Sequence, residues 1–560
     1  MKNDILHEKT EYVNIRDLVE DIGERYRGRI AYTYRVRPSD KDAVTVNYEA
    51  LRDDVRALST ALHAHGYANK HIAVIGKLTY PWVCLYYAVQ AVGSVLVPLD
   101  RDWIPTDLAD TVIRADVSTV FIDTELAETA RVIAETAKLD APVSIDGENG
   151  VAALIAEGKE RIAAGDRSYF DTPIDPDRMS LLVFTSGTTG KGKGVMLSQR
   201  NYLSDMADVL PFIDFTDRSI GLLPPHHTYG SSVNIVGQNW IGCNIYLSAG
   251  LRYVTKELRE VCPGHLVLVP LYLETFYRKI LAGIKDKGKE KSFAFGVKLT
   301  KFFRKFGIDL RKMIFKDIRE VFGGELRMVV SGGAHISQDI IDLFDAIGIS
   351  VLNGYGITEC APIIAVNRSR NIVPGSVGQV LPMDTVVIED PNENGEGEIC
   401  VKGPNVMLGY YKDEEATRAA IDENGFFHTG DYGKIEKGAL FITGRKKNLI
   451  ILSNGKNVYP EEIETEFVSV PGVSDVVVYE GQSKRGVMHN AIVLEIYPDA
   501  EFIEKNGITD PEAHFQAFVN DYNKRAVPYK KIGLLRVRKE PFPKNTLRKI
   551  MRFKMDMTID

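Results

Sequence analysis

The residues best suited to chemistry lie in one glycine- and hydroxyl-rich stretch, TSGTTGKGKG, at residues 185–194. Apolar runs at 181–184 and 195–197 flank it, so we expect a strand, a loop and a second strand. Glycines let backbone N–H groups approach a polyanion, hydroxyl groups add donors, and Lys193 adds positive charge. The stretch therefore predicts a loop that binds a triphosphate; the alternative is a solvent-exposed turn.

The spacing of this stretch differs from the common nucleotide-binding pattern G-x-x-x-x-G-K-[ST]. Gly187, Gly192 and Lys193 fit that pattern, but Gly194 stands where a Ser or Thr would hold a metal ion and open a helix. The residues that follow are apolar and typical of a strand. We therefore predict a phosphate loop of another kind.

Two further groups of small and polar residues follow predicted strands. One strand runs into SGGA at 331–334, and the next runs into NGYGITEC at 353–360. Ligands of open α/β sheets bind at such strand ends. Within the second group, Tyr355 is suited to stacking on a base, Thr358 to binding phosphate, and Glu359 to holding Mg²⁺ through oxygen. Their clustering in one loop indicates a single site.

Two turn motifs carry further polar side chains. His226 and His227 follow a double proline on a stiff loop, where a histidine either lines a pocket or has only a structural role. Later, the sequence HTGD at 428–431 places the carboxylate of Asp431 in a tight turn. Such an acid commonly holds a ribose diol, and an Asx turn is the alternative.

The elements that must position these groups follow from hydrophobic periodicity. Helices and strands alternate between residues 71 and 138, which predicts a parallel sheet with helices on its faces. Segment 385–450 shows short alternating strands with glycine punctuation, so we expect β-hairpins in a small barrel or sheet. The polar stretch 444–448 is predicted to link two domains, and a chain of 560 residues is long enough for two or more.

Composition excludes several classes of protein. The formal net charge of −7 gives no reason to expect nucleic-acid binding. The five cysteines lack CxxC spacing, which argues against a zinc site or disulfide framework and fits a reducing compartment. Residues 1–14 lack the apolar core of a signal peptide, and the most apolar stretch, 81–97, is interrupted by Gln90 and Gly93. We therefore expect a cytoplasmic protein.

Segment 284–319 differs in character from its surroundings. It contains twelve lysines and arginines against four acidic residues, with phenylalanines interleaved. Bases and aromatics together suit a helical excursion that rests on an anionic membrane, here the inner face, as a peripheral contact. A solvated helical insertion docked on its own core is the alternative.

Five motifs, in order, resemble those of the adenylate-forming superfamily, which includes acyl-CoA synthetases, firefly luciferases and adenylation domains of peptide synthetases. TSGTTGKGKG is similar to its phosphate loop, NGYGITE to its aromatic-Gly-x-Thr-Glu motif, TGD and GRKKN to its ribose and hinge motifs, and PKNTLRKIMR to the motif around its catalytic lysine. The resemblance covers almost the whole chain. It is strongest to long-chain fatty acyl-CoA synthetases, through the Phe- and Lys-rich insertion, GGELRMVVSGGA and GYGITEC.

The resemblance implies a role for each matched residue. Lys549 would reach the carboxylate and the α-phosphate, and His227 would sit beside the acyl carboxylate. Thr358 would contact the α-phosphate, and Glu359 would ligate Mg²⁺. The remaining roles concern the nucleotide, the hinge and the thiol: Thr185, Ser186, Gly187, Thr188, Thr189, Gly190 and Lys193 around the β- and γ-phosphates, Gly333, Ala334 and Tyr355 around adenine, Asp431 and Arg445 at the ribose, Lys447 as the hinge, and Gly455 where pantetheine passes.

The resemblance also implies a fold and a reaction. The fold is α/β: a large N-terminal domain, 1–446, of two α/β subdomains and a small β-barrel-like subdomain, then a small mobile α+β C-terminal domain, 447–560. ATP, Mg²⁺ and CoA are the implied cofactors. A long-chain fatty acid would be activated to acyl-AMP with release of pyrophosphate and then transferred to the thiol of CoA.

Two alternatives to that reaction stay open. The first is a fatty acyl-AMP ligase that loads a separate acyl carrier protein. The second is a non-catalytic nucleotide- or lipid-binding protein, against which the intact Lys193, Glu359, Asp431 and Lys549 count. The chain departs from the family pattern at Gly192, where proline is usual before the loop lysine, but no departure removes a catalytic group.

Overall fold

A computed structural model describes residues 4–185, 192–451, 457–482, 491–544 and 550–559. In chain order, the strands are β1 (Ile30–Tyr34), β2 (Val44–Asn47), β3 (His71–Ile75), β4 (Val95–Leu99), β5 (Thr119–Ile122), β6 (Val143–Ser144), β7 (Met179–Phe184), β8 (Gly194–Ser198), β9 (Arg218–Gly221), β10 (Asn244–Leu247), β11 (His265–Leu268), β12 (Met328–Ser331), β13 (Ser350–Gly356), β14 (Ile363–Val366), β15 (Gln379–Val380), β16 (Thr385–Glu389), β17 (Gly397–Lys402), β18 (Gly409–Tyr410), β19 (Phe427–Glu436), β20 (Ala439–Arg445), β21 (Ile450–Ile451), β22 (Asn457–Val458), β23 (Val473–Gly481), β24 (Ala491–Pro498) and β25 (Leu534–Val537).

The helices begin where short polar side chains can accept from the first free backbone N–H groups. Asn14 caps the first helix through Asp17 N, and Ser198 forms a reciprocal capping box with Asn201. The helices are α1 (Ile15–Arg25), α2 (Tyr48–Ala64), α3 (Tyr80–Ala91), α4 (Pro105–Arg114), α5 (Ala127–Ala137), α6 (Val151–Ala163), α7 (Ser168–Asp171), α8 (Gln199–Val209), α9 (Gln238–Trp240), α10 (Val254–Val261), α11 (Pro270–Asp286), α12 (Glu290–Arg304), α13 (Arg311–Ile314), α14 (Lys316–Arg319), α15 (Gln338–Ala346), α16 (Glu414–Ala420), α17 (Pro460–Val468), α18 (Ala500–Lys505) and α19 (Pro511–Arg525).

The alternation between residues 71 and 138 contributes β3, β4 and β5 to a seven-stranded sheet, which has the order β18-β8-β7-β4-β3-β5-β6. Its centre is parallel, as the sequence predicts, and β8 returns antiparallel to β7. Strands β3 and β4 are almost wholly buried, which suits parallel strands covered on both faces. Helix α3 is buried along its whole length, so the apolar stretch at 81–97 is a core helix followed by a strand.

A second α/β unit has the strand order β11-β12-β13-β14-β15. Strands β11, β12 and β13 are parallel, and their carboxyl ends carry the SGGA and NGYGITEC sequences. Ser331 pairs with Asn353, so both sequences leave the sheet at the same edge. A further four-stranded sheet, β2-β1-β10-β9, contributes to the same large N-terminal part of the chain.

Strands β16, β17, β19 and β20 form an antiparallel four-stranded sheet, which confirms the predicted hairpins. The prediction that all of segment 385–450 belongs to these hairpins is wrong for residues 409–410, because they form β18, which pairs with β8 of the seven-stranded sheet. The preceding loop is held against α8, since Asn201 Nδ2 donates to Pro404 O at 2.7 Å and to Val406 O at 3.0 Å.

The C-terminal part is smaller and mixed α and β. It contains the three-stranded sheet β23-β24-β25, with α17 and α19 contributing Phe467 and Phe515 to its core. Together with the larger N-terminal part, this confirms the predicted fold class. Among the described residues, no helix combines the length and the apolar character needed to cross a membrane.

Candidate active site

The hairpin of β7 and β8 carries the predicted phosphate loop. The base of this loop is closed by a hydrogen bond from Thr185 N to Lys193 O of 3.0 Å, and Arg114 Nη1 donates to Gly192 O at 3.1 Å. A Cβ atom at Gly192 would lie 2.1 Å from Thr185 O, so this position admits only glycine. The turn itself, with Ser186, Gly187, Thr188, Thr189 and Gly190, lies outside the described residues.

Glu359 lies on a 3₁₀ turn, Thr358–Cys360, directly after β13. Its Oε1 accepts from the hydroxyl of Tyr410 at 3.0 Å, and the exposed Lys193 places Nζ 4.5 Å from the centre of the Tyr410 ring. Burial raises the pKa of the Tyr410 phenol, which therefore stays a donor. Tyr410 thus connects the phosphate-loop lysine with the predicted metal ligand.

The antiparallel register of β19 and β20 places Asp431 opposite Arg445. Asp431 Oδ1 is 3.0 Å from Arg445 Nε, and Oδ2 accepts from the Tyr355 hydroxyl at 2.7 Å. The carboxylate raises the pKa of Arg445, and burial together with this carboxylate raises that of Tyr355. Asp431, a residue that is only 2% exposed, is therefore held by a hydrogen bond from Tyr355 and an ion pair with Arg445.

A hydroxyl group shapes the turn that presents Asp431. Thr429 Oγ1 donates to Ile399 O at 2.8 Å and accepts from Asp431 N at 3.1 Å. A carboxylate accepts hydrogen bonds through two oxygens, and the two hydroxyls of a ribose diol are donors, so the chemistry of Asp431 fits such a diol.

One cavity of about 450 Å³ gathers several of these groups. Lys193, Glu359 and Arg445 all line it, so a carboxylate and two cations face the same space. An acidic oxygen ligand beside cationic side chains fits Mg²⁺ held together with a polyphosphate, because this hard cation prefers oxygen. Several lining residues were not predicted from the sequence, among them Glu398, Tyr410 and Lys446. Tyr410, for example, follows a glycine in an otherwise apolar run, and nothing in that local sequence indicates a functional residue.

The SGGA sequence lies at the carboxyl end of β12, beside the end of β13 that carries Tyr355. Gly333 has φ +83°, a left-handed conformation that favours glycine, and both Gly333 and Ala334 are exposed. Tyr229 supports this edge of the sheet, because its hydroxyl donates to Val330 O at 3.1 Å. Its ring also packs closely on Gly332: a Cβ atom added to that glycine would lie 3.4 Å from the ring. Gly333 and Ala334, small and exposed beside the strand end that carries Tyr355, leave room for a flat base.

The adjacent histidines lie just before a π-helical segment, Tyr229–Gly237. Their ring centres are 4.2 Å apart, and His226 Nε2 is 3.5 Å from Asp100 Oδ2. Burial lowers the pKa of His226 to about 4, so its imidazole is neutral at neutral pH. His227 is half-buried and does not line the cavity around Glu359 as the described residues form it.

The remaining predicted residues belong to the hinge and the C-terminal part. Lys447 is exposed on a 3₁₀ turn, Lys446–Asn448, which directly follows β20. Gly455 and Lys549 lie outside the described residues. The roles assigned to these three residues stay predictions.

Comparison with known proteins agrees with the geometry of the site. Residues 19–411 match the model of the AMP-binding enzyme family. The chain belongs to this family. It is 29% identical over 505 residues to the long-chain-fatty-acid–CoA ligase 1 of Cavia porcellus, covering 83% of this chain and 71% of the relative.

Solved structures share the fold. ATP-bound MatB from Rhodopseudomonas palustris superposes with a TM-score of 0.74 at 23% identity, covering 96% of this chain and 97% of the other. The anthranilate CoA ligase AuaEII, in complex with anthranoyl-AMP, superposes with a TM-score of 0.77 at 18% identity. The match covers 97% of this chain and 96% of the ligase.

These matches confirm that the chain is a member of the adenylate-forming superfamily with a likeness to long-chain fatty acyl-CoA synthetases. Acyl- and aryl-CoA ligases of this kind use ATP, Mg²⁺ and CoA: they form an acyl-AMP and then a CoA thioester. The predicted cofactors are thus those of the family.

Proposed function

We propose that the protein is an ATP-dependent ligase that activates a long-chain fatty acid to acyl-AMP and transfers the acyl group to CoA. The observation that carries this proposal is the convergence of Lys193, Glu359 and Arg445 on one cavity, with Asp431 held between Tyr355 and Arg445. The long-chain substrate is supported by relatives named long-chain-fatty-acid–CoA ligases, which are 28–29% identical to this chain.

The chemistry requires two anions to meet. A fatty carboxylate is a poor electrophile, because its leaving group would be an oxide, and transfer to AMP supplies a better one. The carboxylate must approach a triphosphate, so the site needs concentrated positive charge. Lys193 supplies such charge at the cavity wall, and Arg445 lies nearby, bonded to Asp431.

The other assigned residues would bind Mg²⁺, the nucleotide and the fatty acid and orient them for reaction. Glu359 would hold Mg²⁺, which neutralises developing charge on phosphate oxygens when bound. Tyr355, Gly333 and Ala334 would enclose the adenine, Asp431 would accept from the ribose hydroxyls, and Thr358 would contact the α-phosphate. His227 would lie beside the acyl carboxylate. Through the family resemblance we assign Lys549 to the carboxylate and the α-phosphate.

We place the hinge at Lys447, between domains 1–446 and 447–560. Contacts between the two parts include Lys505 with Asp286 at 3.2 Å and Ser469 Oγ with Asp339 Oδ2 at 3.3 Å. Exposed polar contacts of this kind contribute about 0–1 kcal/mol each, so they oppose rotation of the small domain only weakly. Rotation would carry Lys549 away and bring Gly455 to the path of pantetheine.

An acid-dependent ATP–pyrophosphate exchange screen from acetate to oleate, including aryl acids, tests the proposed substrate. We expect exchange to require an added acid and to be greatest with long-chain fatty acids. Exchange that is greatest with short or aryl acids would contradict the substrate, and exchange with none would contradict the activity. Replacing CoA by an acyl carrier protein in the second step decides between the two acceptors; we propose CoA.

We also propose that α12 and the residues after it contact an anionic membrane, at its cytoplasmic face. Phe295, Phe302 and Phe306 are 66%, 55% and 67% exposed and recur at helical spacing, although large apolar side chains are usually buried. Lys298 and Lys301 are exposed between them. Aromatic rings flanked by bases are typical of a helix that lies in a lipid interface, where a fatty acid is also found.

Liposome flotation tests this contact. We expect wild-type protein to bind vesicles of phosphatidylglycerol more strongly than vesicles of phosphatidylcholine. Combined Phe295→Ser and Phe302→Ser substitutions should abolish the binding, and Lys298→Glu with Lys301→Glu should remove the preference for anionic lipid. The matched control is Leu251→Ser, which removes a side chain that is 67% exposed elsewhere. Equal binding by all variants would leave a solvated insertion as the explanation.

A further inference from the structure

Three chemically distinct side chains meet on one face of the four-stranded sheet, and one of them, His428, also lines the cavity that Glu359 lines. Cys400 on β17 pairs directly with His428 on β19, and Glu389 ends the neighbouring strand β16. Val387 pairs with Cys400, so Glu389, two residues further, points to the same face. The Sγ, Nδ1 and Oε2 atoms all lie within 4.8 Å of one another.

The distances between these atoms match the edges of a metal coordination shell. Sγ is 3.4 Å from Nδ1, Nδ1 is 3.3 Å from Glu389 Oε2, and Sγ is 3.9 Å from the same oxygen. Zinc–ligand bonds at tetrahedral angles separate sulfur and nitrogen by roughly 3.5 Å, nitrogen and oxygen by roughly 3.4 Å, and sulfur and oxygen by roughly 3.6 Å. A charge-assisted hydrogen bond between imidazole and carboxylate would be shorter, about 2.7–2.9 Å.

We propose that Glu389, Cys400 and His428 bind a divalent metal ion of the zinc type. Thiolate and imidazole select borderline-soft metals, whereas Mg²⁺ prefers oxygen, so this site differs in chemistry from the one proposed at Glu359. Three protein ligands leave a fourth position for solvent. The thiol of Cys400 must lose its proton to bind the ion, so metal binding should release a proton.

The surrounding charges favour a cation. Glu398 Oε2 lies 3.7 Å from His428 Nδ1, and Asp422 Oδ2 lies 3.8 Å from His428 Nε2. Lys446 pairs with Glu398, whose Oε1 also accepts from Gly430 N at 3.1 Å. Glu398 is therefore engaged in holding the turn before Asp431, and Glu389 is the carboxylate that remains for the ion.

The position of the site gives it a consequence for the strand that carries Asp431. An ion bound here cross-links β16, β17 and β19, and His428 lies three residues before Asp431. Occupancy would therefore restrain the backbone of the turn that presents this carboxylate. The effect acts through the strand and does not require the ion to touch a nucleotide.

Cobalt titration of the full-length protein tests the proposal. Protein stripped with EDTA is titrated with Co²⁺ in excess Mg²⁺, which occupies oxygen-rich sites. We expect one equivalent of Co²⁺ with the visible bands of tetrahedral coordination and a thiolate-to-cobalt charge-transfer band, both removed by Zn²⁺. Cys400→Ser should abolish the charge-transfer band and weaken Co²⁺ binding by about tenfold or more.

Two further variants keep the test decisive if Cys400→Ser is unstable. Glu389 is 47% exposed, so Glu389→Gln should fold normally, weaken Co²⁺ binding and retain the charge-transfer band at saturation. Cys262→Ser is the matched control, because Cys262 is a half-buried cysteine elsewhere, and it should bind Co²⁺ like the wild type. Absence of the bands in wild type, or their equal loss in Cys262→Ser, would overturn the proposal.

Discussion

Replacing Tyr355 by phenylalanine removes one hydroxyl group and keeps the aromatic ring. That hydroxyl donates to Asp431 Oδ2 at 2.7 Å, and the carboxylate is buried. A hydrogen bond to a charged group contributes about 1.5–3 kcal/mol, which corresponds to roughly 10- to 150-fold in an equilibrium constant. If Asp431 holds the ribose, Tyr355→Phe should lower kcat/KM for ATP by at least about tenfold, mainly through KM, because the aromatic ring that we assign to the adenine remains.

A nucleotide lacking the ribose hydroxyls separates this explanation from a general loss of activity. With 2′,3′-dideoxy-ATP, the contact to Asp431 is already absent, so Tyr355→Phe should have little further effect on ATP–pyrophosphate exchange. Tyr246→Phe is the control, since that hydroxyl also has a charged partner, Arg35 at 2.9 Å, but on another sheet. Equal losses with ATP and with dideoxy-ATP would refute the assignment of Asp431 to the ribose.

Three other substitutions test separate parts of the account. Lys549→Ala should abolish acyl-AMP formation while sparing thioester formation from supplied acyl-AMP, measured as two half-reactions; loss of both would count against the role of Lys549. Lys447→Pro fixes φ at the hinge and should impair thioester formation more than adenylation. Lys447→Ala keeps the backbone freedom and should impair neither step selectively. Equal impairment of both steps by Lys447→Pro would argue against the hinge. His265 has its pKa lowered by burial from 6.5 to about 3, so the unfolded state binds a proton that the folded state does not, and stability falls with acid. Between pH 7.5 and 5, the free energy of unfolding of the wild type should fall by about 2 kcal/mol more than that of His265→Gln. Urea denaturation at each pH measures this difference. An equal fall in both proteins would be inconsistent with a neutral, buried His265.

Local periodicity was sufficient for the elements that surround the site. The alternation after His71 gives the parallel strands β3, β4 and β5, because local propensity and burial agree there. The strand that ends in NGYGITEC continues through Tyr355 to Gly356, beyond the predicted end at 352, since β14 returns to pair with it.

Long-range pairing explains what the sequence did not reveal. The role of Tyr410 depends on β18 joining β8, and neither strand contains a signal for the other. The metal site proposed at Glu389, Cys400 and His428 has no CxxC spacing, because ligands on neighbouring antiparallel strands can be separated by hairpins of any length. Cys400 and His428 are 28 residues apart in sequence and directly opposite in the sheet. Asp431 and Arg445 were assigned to the ribose from motif order, and the register of β19 and β20 places them opposite each other; their role stays a prediction.

We propose that side chains from separate segments of the chain converge on one nucleotide. A crystal structure with bound ATP would decide whether they do. We expect the base beside Tyr355 and Gly333, the ribose on Asp431, and the phosphates between Lys193 and Glu359. A base bound outside this cleft, far from Glu359 and Asp431, would contradict it.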